Sequence, residues 1–274
     1  MKPLLVLVSC LVLVAACAGT GASPTSTTSA LVSSTTSPTT TTTTAPVTTT
    51  TVEVPPLSGR MIVIDPGHNG MNWAFPEEIN QIVDIGTGTK ACNTTGTTSY
   101  EGYAEPDFTW AVAQLVVERL EALGATVTLT RPDNDGWGPC ITERAAIGNE
   151  FGRDAVVSIH ADGGPDDGRG FHVIYPKVLP GYTDDIAAES QRLAEALHAS
   201  YLDTGMPVAD YRSGDGYSVR DDLGGLTLSD SPVVFLEAGN MRHATDIALL
   251  QDPTFQEKIA DAIVAALVEF LGAA

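Results

Sequence analysis

Three apolar runs in this sequence end in side chains able to hold a metal ion or move a proton. The first runs into Asp65-Pro66-Gly67-His68, a central one ends Ser158-Ile159-His160-Ala161-Asp162, and the last ends Phe235-Leu236-Glu237-Ala238-Gly239-Asn240. A fourth group, Glu105, stands immediately before Pro106 at the head of a helical pattern. Open parallel sheets bind ligands beyond the carboxyl ends of their strands, so polar residues just past a strand are the first candidates for chemistry. Two imidazoles and a carboxylate converging on one such edge make a zinc site of the two-histidine, one-glutamate type, with the fourth position open to water. A further carboxylate would then serve as base.

For these groups to meet, the chain must supply neighbouring strands, and its periodicity does. Short apolar runs alternate with amphipathic helices, the pattern of an α/β domain with a twisted, mostly parallel sheet flanked by helices. Strands are expected over 60–65, 125–130, 154–160, 170–175 and 232–236, and helices over 107–123, 141–150, 184–203 and 253–271. The first helix carries Phe108, Val112, Leu115, Val116 and Leu123 on one side, with Pro106 suited to its first turn and Gly124 to its C-terminal stop. The last carries Phe255, Ile259, Ile263, Leu267 and Phe270 on one face. Two stretches, 71–101 and 207–231, are rich in Gly, Asn, Thr and Asp and read as loops. Loops of that length in a compact domain are usually functional.

The ends of the chain bear on where such a domain works. Lys2 is followed by an uncharged apolar run from Leu4 to Ala16, and Cys17 follows Val14-Ala15-Ala16. Residues 1–17 therefore read as an export signal with a lipobox, in which Cys17 becomes the lipidated first residue of the mature chain; the alternative is ordinary cleavage nearby with Cys17 discarded. About a dozen apolar residues are too few to span roughly 30 Å of hydrocarbon. Thr20 to Val52 holds 16 Thr, 6 Ser and no charged side chain, so 18–56 is expected to be an extended tether with nothing from which to build a core. Stretched, it could hold a domain up to about 100 Å from a membrane.

Residues 57–274 suit a single domain. Lys2 and Glu53 are the only charges before Leu57, so the whole formal charge of −20 falls on that domain. It should avoid nucleic acid and anionic headgroups, touching membrane only through the lipid. The expected location is extracytoplasmic, in the cell envelope at the outer face of the cytoplasmic membrane. In an exported chain Cys92 and Cys140 are expected to pair in a disulfide between two surface loops.

Five segments, in order, resemble the zinc-dependent N-acetylmuramoyl-L-alanine amidases of the amidase 3 type, over nearly all of 60–271. They are Ile62 to His68, Glu105 at its helix head, Val127-Thr128-Leu129-Thr130-Arg131, Ser158-Ile159-His160-Ala161, and Pro232 to Asn240. The resemblance implies a phosphorylase/hydrolase-like α/β fold, one Zn2+ bound by His68, Glu105 and His160, and Glu237 as the catalytic acid–base. It implies hydrolysis of the amide joining N-acetylmuramic acid to L-alanine in peptidoglycan or muropeptide fragments. A zinc carboxypeptidase or endopeptidase cutting within the stem peptide, or a wall-binding lipoprotein with a vestigial site, are the competing readings. The resemblance also suggests that the loop upstream of the last strand contacts the stem peptide, with Arg220 the candidate for a peptide carboxylate.

The remaining groups receive structural roles. Glu77 and Glu78 are rivals to Glu105 as ligand but lack its helix-start context. Asp65 is expected either to orient a ligand or to cap its turn. Glu143 and Arg144 read as a cap and an ion pair. His172, His198 and His243 are assigned to a strand, a helix surface and a loop. The segment between His68 and Glu105 is expected to wall the substrate groove, pinned by the disulfide. Nothing fixes the oligomeric state, and a monomer is expected.

Overall fold

The computed structural model describes residues 54–272; the export signal, Cys17 and most of the tether lie outside them. In chain order the elements are β1 Met61–Pro66, α1 Pro76–Ile79, β2 Ile82–Asp84, β3 Thr89–Ala91, α2 Glu105–Ala122, β4 Thr126–Leu129, α3 Ile141–Phe151, β5 Ala155–Asp162, β6 His172–Pro176, α4 Ala187–Leu202, β7 Tyr217–Arg220, α5 Gly224–Thr227, β8 Val233–Asn240, α6 Ala244–Leu250 and α7 Pro253–Phe270. Among the described residues, β2 and β3 form an antiparallel hairpin, and the other six strands form one sheet in the order β4-β1-β5-β8-β6-β7.

β4, β1, β5 and β8 run parallel. β6 is antiparallel to β8 and β7 is parallel to β6, so these two strands run against the other four. Helices α2, α4 and α7 cover one face, and α3 and α5 the other. Burial on both sides explains why the first halves of β1, β5 and β8 read as near-continuous apolar runs. The expected stripes point inward: Phe108, Val112 and Val116 of α2 and Phe255, Ile259, Ile263 and Leu267 of α7 are buried. Each such side chain contributes about 1.5 to 3 kcal/mol. Gly124, at φ 90°, ends α2 as expected. No helix among the described residues is long and apolar enough to cross a membrane.

Side-chain alternation sorts the strands into two faces. On the α3/α5 side, β1 shows Val63 then Asp65, β5 shows Val156, Ser158 and His160, and β8 shows Val233, Phe235 and Glu237. Each strand thus turns from apolar to polar toward its carboxyl end. Facing pairs in the register include Asp65 with Ser158 and His160 with Glu237. The β5–β8 register then shifts between His160 and Asp162, an irregularity of the kind that re-aims side chains beside active sites.

The two expected loops contain structure. The stretch 71–101 holds α1 and the hairpin, and 207–231 holds β7 and α5. These pieces are three or four residues long, too short for a hydrophobic period to develop.

Candidate metal centre

His68 follows the Pro66-Gly67 turn at φ 60°, the one non-glycine residue with positive φ among those described. Such a conformation costs of order 1 to 3 kcal/mol and persists only where its surroundings enforce it. Arg144, buried at the start of α3, supplies much of that enforcement. Its guanidinium donates to Asp65 Oδ1 at 2.6 Å, to the Pro66 carbonyl at 2.9 Å and to the His68 carbonyl. Arg131, 1 % exposed, donates to the Pro66 carbonyl at 2.9 Å and the Pro106 carbonyl at 3.0 Å, tying the turn that bears His68 to the helix that bears Glu105. Burial pulls the Arg131 guanidinium down to about 9, and the neighbouring Arg144 charge adds to this.

The imidazole of His68 is oriented by the insert. Its Nδ1 lies 3.1 Å from the Thr94 carbonyl, which can only accept, so the proton sits on Nδ1 and the Nε2 lone pair faces inward. Nε2 is 3.2 Å from Glu105 Oε1. Glu105, 4 % exposed, is the first residue of α2, where the helix end favours negative charge. Its Oε2 accepts from the Thr97 N–H at 2.8 Å and its Oε1 from the Ala161 N–H at 3.2 Å. His160 at the end of β5 brings Nδ1 to 2.8 Å from Oε1, its ring parallel to Phe235 at 5.4 Å and edge-on to His68 at 4.9 Å. Burial pushes the Glu105 carboxyl up, but His68 and His160 overcome it and hold the group well below the ordinary carboxylate range.

One donor atom from each of His68, Glu105 and His160 lies within 4.8 Å of the other two. Ligands about 2.1 Å from a tetrahedral zinc sit roughly 3.4 Å apart, so the set fits such an ion. Two glycines make the fit possible. A Cβ on Gly67 would meet His160 Cε1 at 2.3 Å, and one on Gly96 would meet Glu105 Oε2 and His68 Cδ2 at 2.8 Å. Glu77 and Glu78 lie away on α1 and do not belong to the cluster. Glu237 stands directly across from His160 on the next strand. Burial, then the Glu105 and Asp162 charges, push its carboxyl well above the usual range, while Arg212 and Arg220 draw it back.

Asp65 touches neither imidazole. It accepts from Ser158 and Thr130, each at 2.5 Å, as well as from Arg144, so it braces the ends of β1, β4 and β5 beneath the ligands. Glu143 caps α3 by accepting from the Cys140 N–H at 2.7 Å, so this residue and Arg144 have the cap and ion-pair roles expected. Cys92 and Cys140 are bridged; Cys92 is fully buried, so the bridge joins the insert to the head of α3 below the surface. His243 caps α6 by accepting from Thr245 N–H at 3.3 Å. His198 is packed against Phe171 and Tyr217 rather than lying on an open helix surface. Thr94, Gly96 and Thr97 are not legible as contributors, because a Thr-rich loop carries no spacing signal; Arg131 stands in the sequence only as the end of a matching strand segment, with no role assigned.

A cavity of about 280 Å³ opens beside the cluster, walled by His68, His160, Phe235, Ile141 and Leu223, with Lys90 and Asp222 also lining it. Arg220 pairs through two nitrogens with Asp222, at 2.7 and 2.8 Å, and Lys90 reaches the same carboxylate at 3.1 Å.

The family model described as N-acetylmuramoyl-L-alanine amidase, Amidase_3, matches residues 62–269. The chain is 39% identical over 216 residues to the N-acetylmuramoyl-L-alanine amidase Rv3717 of Mycobacterium tuberculosis, covering 78% of this chain and 88% of that protein. The crystal structure of the amidase Ami1 from Mycobacterium smegmatis superposes with a TM-score of 0.74 at 40% identity, over 80% of this chain and 99% of the other. For the apo form of Ami1 from Mycobacterium abscessus the TM-score is 0.73 at 41% identity, over 78% and 100%.

Proposed function

The chain belongs to the N-acetylmuramoyl-L-alanine amidase family and is a hydrolase of cell-wall peptidoglycan; we propose that it holds one zinc ion on His68, Glu105 and His160 and carries protons on Glu237. The observation behind this is the convergence of the three donors within 4.8 Å, with Glu237 directly across the sheet from His160. Zinc at such a donor set supplies Lewis acidity, polarising the scissile carbonyl and acidifying water.

The protein's own groups do the rest. The Thr94 carbonyl keeps the His68 proton on Nδ1, and the Thr97 and Ala161 amides fix the Glu105 carboxylate, so the donors are set before anything binds. Glu237 accepts the proton of the attacking water and returns it to the L-alanine nitrogen as the amide breaks, because an unprotonated amine is a poor leaving group. Its raised affinity for a proton suits a group that must take one up and deliver it within a cycle. The products are a lactyl carboxylate on muramic acid and a free peptide.

The apolar-walled cavity beside the cluster would receive the peptide side of the bond. Arg220 would act there by holding Asp222 toward Lys90 rather than by gripping a carboxylate itself, since its guanidinium is already paired. Residues 1–17 would direct export with Cys17 carrying lipid, 18–56 would tether, and 57–274 would form the catalytic domain at the outer face of the cytoplasmic membrane. A cell-wall substrate and a disulfide both support an extracytoplasmic site. The acidic domain gives nucleic acid no purchase, and a monomer suffices because one chain supplies the whole cluster.

The test is incubation with a defined muramoyl-peptide, with and without chelator, comparing wild type with Glu237→Ala by mass spectrometry. Release of a peptide beginning with L-alanine should need zinc and vanish in the variant. Zinc-independent release, or full activity in Glu237→Ala, would overturn the assignment.

A further inference from the structure

His172 opens β6, and in the antiparallel β6–β8 ladder it lies directly opposite Glu237. Directly opposed residues project from the same face with Cβ atoms about 5 Å apart. The register therefore lines up His160, Glu237 and His172 across three adjacent strands, β5, β8 and β6, with the proposed base between two imidazoles. His160 belongs to the metal cluster; His172 does not.

Three further observations separate His172 from an ordinary core residue. It is 2 % exposed, and its Nδ1 is buried with no hydrogen-bond partner among the described residues. Buried polar atoms in folded proteins are nearly always satisfied, and the exceptions call for a reason. The strand around it, Phe171 to Ile174, is otherwise apolar and buried, so a valine would pack there without an orphaned nitrogen. Finally, burial lowers the imidazole to about 4 against the pull of Asp162, with the Arg212 and Arg220 charges acting the same way, so the ring is neutral at physiological pH. A neutral imidazole has one N–H to give.

We propose that His172 is a positioning residue for the amidase reaction, donating an imidazole N–H to the Glu237 carboxylate. The donor holds the carboxylate in one orientation, between the two imidazoles that the strand register sets on either side of it. The inference rests on Glu237 as the acid–base.

The first arm uses the metal-free protein. In nitrogen-edited NMR spectra, a His172 imidazole N–H resonance, identified by its loss in His172→Phe, should shift further in Glu237→Ala than in Asp162→Asn. The opposite pattern, or no response to Glu237→Ala, overturns the proposal whatever the role of Glu237. The second arm is kinetic. His172→Phe should lower kcat by about 10- to 100-fold, the range for a group that orients a catalytic one, with KM and zinc affinity within twofold of wild type. His172→Asn, which keeps a neutral donor, should recover part of kcat. Unchanged kcat in a folded His172→Phe, or a loss confined to KM or zinc affinity, overturns it. If His172→Phe fails to fold, His172→Asn and the Glu237→Ala spectrum decide. Full activity of Glu237→Ala with the resonance shifted would instead remove the acid–base assignment and leave the contact standing.

Discussion

Arg144 donates to the Asp65 carboxylate at 2.6 Å, and the same guanidinium grips the main-chain carbonyls on either side of Gly67, just ahead of the His68 ring. The ion pair is almost wholly buried and fully hydrogen-bonded, so removing one partner leaves the other charge stranded.

Arg144→Met should destabilise the domain by about 3 to 5 kcal/mol, read by chemical denaturation of the metal-free protein. Zinc affinity, read by chelator competition, should fall about 10- to 100-fold, because His68 loses the constraint on its unusual backbone. Unaltered zinc affinity would show that the turn holds itself.

The Asp65 carboxyl gives the fold an acid-sensitive component. Burial pushes it up, but Arg144, Ser158 and Thr130 bring it from 3.8 to about 2. A depressed folded value means the stabilisation is complete above pH 4 and is lost as pH falls toward 2. The shift corresponds to roughly 2 kcal/mol. Asp65→Asn should be less stable at neutral pH and should lose less stability than wild type between pH 4 and 2; parallel curves would exclude Asp65 as the source.

Glu105→Gln should cost zinc binding outright, whereas Glu77→Gln and Glu78→Gln should leave it within twofold. Isothermal titration of the metal-free proteins separates these outcomes. Loss of binding in either α1 variant would move the third ligand into the insert.

Cys92 and Cys140 close a loop of 48 residues that contains Gly96, Thr97 and Glu105. Opening it with the Cys92→Ser, Cys140→Ser double substitution should lower stability by about 4 kcal/mol on the chain-entropy account. Thr94 and Thr97 should lose their hold on His68 and Glu105, so zinc affinity should drop as well. Equal zinc affinity with and without the bridge would confine its role to the unfolded chain.

Arg220→Ala should raise KM for muropeptides while leaving zinc affinity alone. Combined with Asp222→Ala, the two effects should be less than additive, because the residues share one contact. Independent, additive effects would mean that Arg220 meets substrate by itself.

Much of this candidate centre is legible in the sequence because the proposed ligands sit where apolar strands end or a helix begins. Pro66-Gly67 breaks the first strand before His68, Pro106 marks the helix that Glu105 opens, and His160 and Glu237 each close a mainly apolar run. What holds the ligands is not legible. Thr94, Gly96 and Thr97 lie in a threonine-rich loop whose contribution is two main-chain groups and a missing Cβ, none of which leaves a compositional mark. His172 reads as a core residue until strand pairing sets it against Glu237, a relation between positions 65 residues apart. The reversal of β6 and β7 is hidden for a similar reason: strand direction depends on the route of a connection, and hydrophobic alternation is the same either way.

The gradation from valine to carboxylate and imidazole along β1, β5 and β8 makes the centre a witness to correct assembly. A slip of one residue in β5 would swing His160 beneath the helices and send Ile159 out in its place, while leaving nearly every main-chain hydrogen bond available for re-pairing. If the proposed site takes one zinc ion, its uptake by refolded protein would therefore report alignment of the strands at single-residue precision, a property that circular dichroism, which sees only strand content, would miss.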